Sequence, residues 1–568
     1  MLFIDFEVFK HDWLCVIADT DTKSFTEVVN DREKLKEIYE EESNNIWIGY
    51  NIRSYDSYIL KAILLGIEPR LVNDFIIVQR KKGWEYTNAF RQIKLYTFDI
   101  MTSFHGLKQL EGFMGNDIRE SSVDFNIDRK LTPSEIKEVL SYCRHDVEQT
   151  IEVFLNRSEE FESQMGLITA FKLPLENISK TKPQISSYIL GAMRTSRDDE
   201  FDISIPDTLV LSDKYKPIAD WYLCEENQDY DKTQEVMVAG VPHIFAWGGL
   251  HGARDNYIKS GNFLNIDVAS FYPALMIEYD YLSRNVTEPA KFREIRDKRL
   301  EYKKAKDKQA NSLKIVLNST YGAMKDKYNA LYDPRQANNV CIGGQLLLLD
   351  LIEKLETFGL GKLIQTNTDG LIYKYESDDE FNSIKSVCKE WEKRTRMDLE
   401  YDLYSMIAQK DVNNYILVAP DGDYVSKGAY VKKLNKLDND LPIVNKAVVD
   451  YFIKNIPPEE TIRNCTELVE FQQISKVSNL YLYAVNGFGE ILKEKTLRVF
   501  ASRSKNDSGL FKVKAATNKA EKIPYTPKRC RVINNSVLGV DRTDMRWLDV
   551  NWYIDMAQKR INDFKGVG

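Results

Sequence analysis

The chain has 568 residues, of which 43% are hydrophobic and 29% charged, with a formal net charge of -8. That length exceeds one hydrophobic core and predicts several domains, while the acidic balance excludes a protein that coats nucleic acid through bulk charge. No apolar run approaches the roughly 20 residues that span a bilayer, and the start, Met1 to Glu7, carries acids and lacks a basic flank, so the expectation is a cytoplasmic protein with no membrane association.

In chain order, Leu2 to Phe9 alternates so that a strand would put Asp5 and Glu7 on one face and Ile4, Phe6 and Val8 on the other. Paired carboxylates repel, which raises a pKa or invites a cation; an exposed strand face explains the segment equally well. Ile46 to Tyr50 is a second strand candidate, leading into Asn51-Ile52-Arg53-Ser54-Tyr55-Asp56, where a loop or helix start can aim an acid above a sheet. Thr132-Pro133-Ser134-Glu135 joins an N-cap, a first-turn proline and a capping-box glutamate, and predicts a helix buried through Ile136, Leu140, Cys143, Val147, Ile151 and Phe154. Tyr142 and Asp146 lie one turn apart beside that stripe; a solvated helix edge is the plainer reading of the pair alone.

Residues 161–240 read as a helical, polar connector. The glycines of Trp247-Gly248-Gly249-Leu250-His251 permit close approach to a phosphate backbone, or simply serve a loop. Phe263 to Val268 is a buried-strand pattern that ends in Asp267, an acid in need of a metal, an arginine or a helix end; Tyr272 follows as a candidate floor for a nucleotide sugar, core packing being the alternative. Lys291, Arg293, Arg296, Lys298, Arg299, Lys303, Lys304, Lys306 and Lys308 crowd a proline-free, helix-favouring stretch that runs on to Gly322. Within it Lys314, Asn318 and Tyr321 share a helical face: a point charge for triphosphate oxygens and a flat surface for a base pair. Lys362 to Tyr373 reads as a hairpin around Asp369-Gly370, a structural turn signal that can also present an acid. Lys427, Lys432, Lys433 and Lys436, then Arg498, Arg503, Lys505, Lys512 and Lys514, suit duplex phosphates or plain solubility. The last helix is expected from Val550 to Phe564. Seven scattered cysteines without a C-x-x-C pair indicate neither a disulfide framework nor a zinc site.

Asp267 and Asp369, with Lys314-x-x-x-Asn318-Ser319-x-Tyr321-Gly322 between them, suit the joining of a 3′-hydroxyl to an α-phosphate, chemistry that uses two Mg2+ ions roughly 3.5–4 Å apart on carboxylate oxygens.

Two sets of motifs carry a family resemblance. Asp5-x-Glu7, Asn51-x-x-x-Tyr55-Asp56 and Tyr142-x-x-x-Asp146 resemble the three motifs of proofreading 3′-5′ exonucleases. Asp267-x-x-Ser270-x-Tyr272-Pro273, Lys314-x-x-x-Asn318-Ser319-x-Tyr321-Gly322 and Thr368-Asp369 resemble motifs A, B and C of family B DNA polymerases, compact phage replicases especially.

The resemblance implies an α/β multidomain chain: an RNase H-like exonuclease domain over 1–160, the connector over 161–240, then a right hand with palm at 241–284 and 326–430, fingers at 285–325, and thumb and C-terminal region at 431–568. It implies that Asp5, Glu7, Asp56 and Asp146 hold two metals while Tyr142 orients the attacking water and Asn51 and Tyr55 contact the frayed 3′-end. His145 is expected to be structural. In the polymerase half, Asp267, Asp369 and the Val268 carbonyl would bind Mg2+, with Mn2+ able to substitute. Lys314 and Arg296 would hold the triphosphate, Tyr272 would exclude a 2′-hydroxyl, and Asn318 and Tyr321 would line the nascent pair. Gly248, Gly249, Tyr415 and Lys427 would meet DNA. Primer-template DNA, dNTPs and replication accessory proteins are the implied partners of a monomer that serves a phage or mobile element in a bacterial cytoplasm.

The chain departs from the family pattern in four places. Motif C has Asn367-Thr368-Asp369-Gly370 where the family has Asp-Thr-Asp-Ser. Phe271 replaces a common leucine. The primer-gripping K-x-Y element reads Asn413-Asn414-Tyr415. The stretch between Pro273 and Lys314 is too short for the insertions by which protein-primed phage polymerases bind a terminal protein and encircle DNA. Two other function classes fit fewer of these features: a nuclease whose second half only binds nucleic acid, and a non-enzymatic DNA-binding scaffold.

Overall fold

The computed structural model describes residues 1–102 and 105–567. The chain folds as two compact units that do not follow chain order. The first joins Met1–Lys180, Leu434–Val444 and Glu459–Asp555; the second joins Thr181–Lys433, Asn445–Pro458 and Met556–Gly568. The stretch after residue 430 is therefore divided between them. Among the described residues no helix is long and apolar enough to cross a membrane, and none of the seven cysteines is in a disulfide.

The first unit is built on strands β1 (Leu2–Val8), β2 (Trp13–Asp19), β3 (Ser24–Val29), β4 (Ile46–Gly49) and β5 (Tyr96–Asp99). Their order is β3-β2-β1-β4-β5, antiparallel among the first three and parallel from β1 through β4 to β5. Alternation along β1 sorts the core. Leu2, Ile4, Phe6 and Val8 pack with α1 (Arg32–Glu41), α2 (Asp56–Leu65) and α3 (Pro69–Asn73). Phe3 points the other way, into a core shared with α4 (Leu107–Met114), α5 (Pro133–Asn156) and α6 (Ser158–Ala170). Asp5 and Glu7 have the parity of Phe3, so the same pleat that buries the apolar residues turns both acids toward α5. That helix starts as expected: the Thr132 hydroxyl accepts from the Glu135 N–H, the Glu135 carboxylate accepts from the Thr132 N–H, and Pro133 fills the first turn.

The later part of this unit carries two small sheets, one of Gln473–Lys476, Thr496–Ala501 and Cys530–Val532, the other of Ile491–Leu492, Tyr481–Asn486, Leu510–Lys514 and Ala520–Lys522. Arg498, expected from sequence among the residues that track DNA, is instead wholly buried, at 0% exposure. Its guanidinium donates to the carbonyls of Asn116 (2.5 Å), Asn535 (2.6 Å), Gly112 (3.3 Å) and Ile533 (3.4 Å) and to Gln472 Oε1 (3.0 Å). Gly112 and Asn116 lie at and just past the C-terminal end of α4, where unpaired carbonyls and the helix dipole favour a cation. Five donors in a fixed fork suit that carbonyl nest and leave nothing for phosphate.

The second unit is centred on a nine-stranded sheet of order β14-β13-β12-β9-β11-β10-β8-β7-β6. Its strands are β6 (Thr233–Val238), β7 (Val241–Ala246), β8 (His251–Ala253), β9 (Tyr257–Val268), β10 (Lys362–Asn367), β11 (Gly370–Tyr375), β12 (Leu399–Asp411), β13 (Asn414–Val418) and β14 (Tyr424–Lys427). The helices are α7 (Lys182–Ile189), α8 (Lys216–Leu223), α9 (Phe271–Glu278), α10 (Pro289–Lys304), α11 (Gln309–Lys325), α12 (Pro334–Thr357) and α13 (Asp378–Thr395).

The stretch from Lys291 to Gly322, read as one long helix-favouring segment, is divided between α10 and α11. Lys306 takes a left-handed φ of 56° at the break, which lets the two helices turn back and pack on each other, where one straight rod would bury little. Helix α12 is buried along nearly its whole length. It is anchored by Asp350, whose two oxygens accept from Arg394 Nη1 (2.7 Å) and Nη2 (2.9 Å). Such a buried bidentate pair fixes rotation as well as position.

We expect Arg498→Met to strand several carbonyls and to destabilise the first unit by about 3 kcal/mol, the scale of a broken buried charge network. Hydrogen exchange should report faster opening of Leu107–Met114 with the second unit unaffected; unchanged exchange at α4 contradicts this reading of the nest.

Candidate active sites

Each unit gathers one carboxylate cluster. In the first, Asp5 and Glu7 on β1 face α5, and Cys143 Sγ lies 3.4 Å from the Asp5 carbonyl and 3.5 Å from Asp5 Oδ2. Ligand atoms of Asp5, Glu7 and Cys143 fall within 4.8 Å of one another, as do those of Glu111, His145 and Asp146. Asp56, at the first turn of α2, is buried, and its Oδ1 has no hydrogen-bond partner.

Burial pushes all four acids up. Asp5 and Glu7 rise well above the carboxylate range, Asp5 also because Glu7, Asp56 and Asp146 repel it, Glu7 also because Asp146 does. Asp56 is raised to about 7 and Asp146 to about 6. Four oxygen ligands that cannot all ionise without a counter-charge, one of them with an orphaned oxygen, fit a hard divalent cation.

Tyr142 stands beside this cluster, with the Lys108 ammonium 4.6 Å from its ring centroid. Lys108 is ion-paired to Asp146 and, at 3.1 Å, to Glu111. Burial opposes the ammonium, yet the two carboxylates hold it charged above the usual lysine range. Lys108 and Glu111 were missed in the sequence, where their i, i+3 spacing on a short helix carries no mark of its own. His145 is buried with its Nε2 3.7 Å from Glu111. The Asn51 loop is shaped by another missed acid: Asp99 accepts from the backbone N–H of Asn51 (2.9 Å), Arg53 (3.1 Å) and Met101 (3.0 Å), and Asn51 adopts a φ of 68°. Tyr55 donates its hydroxyl to Asn73 Oδ1 at 2.8 Å.

In the second unit β9 lies between β11 and β12, with Asp267 opposite Gly370 on one side and Glu400 on the other. The Val268 N–H donates to the Asp369 carbonyl at 3.0 Å, which clamps the two acidic segments together. Gly370 is required by this approach, since a Cβ there would lie 2.1 Å from Asp267 Oδ1. The sequence signal was therefore displaced by one residue: the turn itself is Thr368-Asp369, with β-branched Thr368 at φ 60°, and Gly370 serves space, not the turn. That uncommon backbone is held by Thr368 N–H donating to the Leu250 carbonyl at 2.8 Å. Gly249 packs so closely that a Cβ would come within 3.0 Å of Thr368 Oγ1, while the Gly248 carbonyl accepts from Gln345 Nε2 at 2.5 Å.

Burial and then Asp369 raise the Asp267 carboxyl to about 6; burial also raises Asp369, eased by Lys427. Asn265 Nδ2 donates to Asp267 Oδ2 at 2.5 Å. Two clefts meet at Val268, Ser270 and Asp369. One, of 220 Å3, is lined by Tyr272, Leu317, Asn318, Tyr321 and Thr368; the other, of 410 Å3, by Asp267, Asn367, Glu400, Asp402, Tyr415 and Lys427. Glu400 and Asp402, missed in the sequence, enlarge the acidic face, with Lys303 of α10 pairing to Glu400 at 2.9 Å. Carboxylate oxygens are again the only charged donors, a set that fits Mg2+ or Mn2+.

Asn367, the residue that departs from motif C, stands opposite His251 in the pairing of β10 with β8 and lines the larger cleft with Tyr415. Lys314 is exposed one turn along α11 from Asn318 and lines neither cleft. Arg296 is engaged elsewhere, with Nε 2.6 Å from Asp297 and Nη2 3.8 Å from Glu278. Arg299 comes to the site in its place: Nη1 donates to Ser270 Oγ at 2.9 Å, and its buried Nε has no partner.

Without metal, the raised carboxyls contribute stability that is fully present below the unfolded value of 3.8 and is lost as pH rises through about 6 for Asp146 and Asp267 and about 7 for Asp56. We therefore expect Mg2+ to raise the melting temperature at about pH 8 and hardly at all at about pH 5; equal shifts at both would mean that these acids are not where the ion binds.

No family model matches the chain. In sequence it is 29% identical over 157 residues to DNA polymerase 1 of Sulfolobus acidocaldarius, covering 25% of this chain and 18% of that protein. It is 31% identical over 138 residues to DNA polymerase 1 of Saccharolobus solfataricus, covering 24% and 15%. The match thus spans less than a fifth of either archaeal protein. A solved family B DNA polymerase from the hyperthermophilic archaeon Pyrobaculum calidifontis aligns with 100% of this chain and 78% of its own, at 14% identity and a TM-score of 0.44. Over about a quarter of its length, then, the chain is similar in sequence to two archaeal DNA polymerases.

Proposed function

We propose that the chain is a DNA-templated DNA polymerase with a 3′-5′ proofreading exonuclease, one centre in each compact unit. The observation that carries the polymerase reading is the meeting of Asp267, Asp369 and the Val268 backbone beside a cleft floored by Tyr272 and Tyr321. Mg2+ held by Asp267, Asp369 and the Val268 carbonyl would neutralise charge on the triphosphate as the primer 3′-hydroxyl attacks. Around it, Arg299 and Lys314 supply cations for the leaving phosphates and Asn318 and Tyr321 a surface for the nascent pair, while Tyr272 stands where a 2′-hydroxyl would sit. Tyr415 and Lys427, on the second cleft, suit the primer strand, and Gly248 and Gly249 the template backbone. On this reading β9 and the β10–β11 hairpin are palm, and α10 and α11 are fingers.

For the first unit, the β3-β2-β1-β4-β5 sheet with its mixed strand directions supports an RNase H-like exonuclease domain. Asp5, Glu7, Asp56 and Asp146 would hold metal and Tyr142 would orient water, with Asn51 and Tyr55 toward the strand end. By likeness to compact replicases, the enzyme would serve a phage or mobile-element genome in a bacterial cytoplasm, with primer-template DNA, dNTPs and replication accessory proteins as partners. A second reading, a nuclease whose larger unit only binds nucleic acid, is favoured by the single observation that Asn367 replaces an acid.

Primer extension and 3′-end trimming separate these readings. We expect Asp369→Ala to lower extension by about a thousandfold while trimming persists, and Asp5→Ala to do the reverse. Wild-type protein that trims but never extends establishes the nuclease reading instead. Gly370→Val should push the Asp267 carboxylate aside and cost about a hundredfold in extension with trimming intact, the scale of a misplacement near 1 Å; normal extension would show that the Asp267 geometry is not limiting.

A further inference from the structure

Tyr272 and Tyr321 approach each other across the smaller cleft with ring centroids 4.5 Å apart and ring planes at 52°. The Tyr321 hydroxyl leads away from the cleft to a buried group. Tyr321 Oη lies 2.5 Å from Cys341 Sγ. Cys341 sits on α12, is 1% exposed and does not line the cleft. Lys325 Nζ lies 3.7 Å from the same sulfur and 5.1 Å from the Tyr321 ring centroid.

The sulfur has little freedom to drift. One turn along α12, Gly344 is pressed so closely by the Phe271 ring that a Cβ would lie 2.9 Å from it. The next residue, Gln345, donates to the carbonyls of Ala246 (2.8 Å) and Gly248 (2.5 Å). A buried phenol needs a partner for its hydroxyl; Tyr321 of α11 finds its own on a third, fixed helix, and Tyr272 of α9 packs against the ring so held.

Building on the polymerase reading, we propose that Cys341 is a specificity-determining positioning residue: by holding the Tyr321 hydroxyl it fixes the Tyr321 ring, and through that ring Tyr272 against the sugar, and so sets the discrimination between deoxyribo- and ribonucleotides. The sulfur touches no substrate and acts only through the tyrosine pair. Without it the Tyr321–Tyr272 pair is free to tilt, and a 2′-hydroxyl is tolerated. Core packing alone makes the opposite forecast, since an apolar replacement that still fills the site would leave the ring in place.

The test is single-nucleotide insertion by the full chain, comparing kcat/KM for a dNTP and the matching rNTP in wild type, Cys341→Val, Cys341→Ala and Cys341→Ser. Cys341→Val stays apolar, adds one methyl group and removes the partner, and Cys341→Ala removes it without added bulk, so in both the dNTP-over-rNTP ratio should fall about tenfold, the worth of one hydrogen bond. Most of that change should lie in the rNTP, and Cys341→Ser should recover part of the ratio. A ratio unchanged in both apolar variants, or dNTP and rNTP rates that fall together, overturns the proposal. If Cys341→Val does not fold, the serine variant and Cys341→Ala decide by the same ratio. A wild-type protein that inserts neither nucleotide removes the polymerase reading, and this inference with it; a wild type that inserts dNTPs with an unmoved ratio in the variants removes the inference alone.

Discussion

Carboxylates forced together in partly dry surroundings are the constraint around which both units are arranged. Asp5 and Glu7 lie within an apolar strand, Asp267 near the end of another, Asp369 in the turn beside it, Asp56 at the start of a buried helix and Asp146 midway along α5, so rotating them into solvent would break packing that stabilises each unit. The result is a standing electrostatic cost, visible in the raised carboxyls of Asp56, Asp146 and Asp267. A divalent cation is the simplest agent that relieves it. Lys108 already offsets part of that cost in the first unit through Asp146 and Glu111, whereas in the second Lys427 lies across the larger cleft and eases Asp369 only modestly.

The two units hold their acids in different ways. In the first, strand alternation does most of the work: one pleat buries Ile4 and Phe6 and presents Asp5 and Glu7 to α5. In the second, backbone does it. The Val268 to Asp369 hydrogen bond, the left-handed Thr368 and the absence of a side chain at Gly370 bring two segments distant in sequence into one corner. Helix α12 then acts as a common support, since Cys341 meets Tyr321, Gly344 meets Phe271 and Gln345 holds the loop that carries Gly248. A rigid buried helix under three separate pieces of the cleft is what preorganisation of a nucleotide site requires.

Local patterns carried much of this into the sequence. Alternation in Leu2–Val8, the Thr132-x-x-Glu135 capping box and the paired strands of Lys362–Tyr373 each reappear as elements, because their signals depend on neighbours within a turn or a strand. What depended on distant partners did not show. Charge alone could not distinguish Arg498, locked under the end of α4, from a surface cation, and the break at Lys306 is set by the packing of α10 on α11 in a stretch free of proline. Glu400 and Asp402 are instructive: they alternate along β12 as Asp5 and Glu7 do along β1, but only the register of β12 on β9 gives them meaning. The Asp-Gly pair was legible as a turn, yet the glycine is there for the Asp267 carboxylate.

The central claim is that Asp267 and Asp369 share divalent cations at the mouth of the nucleotide cleft. Anomalous diffraction from crystals of the full chain soaked with Mn2+, primer-template and an unreactive dNTP analogue tests it most directly. The account predicts manganese peaks in contact with carboxylate oxygens of both residues and with the analogue's phosphates. Manganese confined to other acids, or carboxylates at 267 and 369 that turn away from each other around an empty corner, would contradict it.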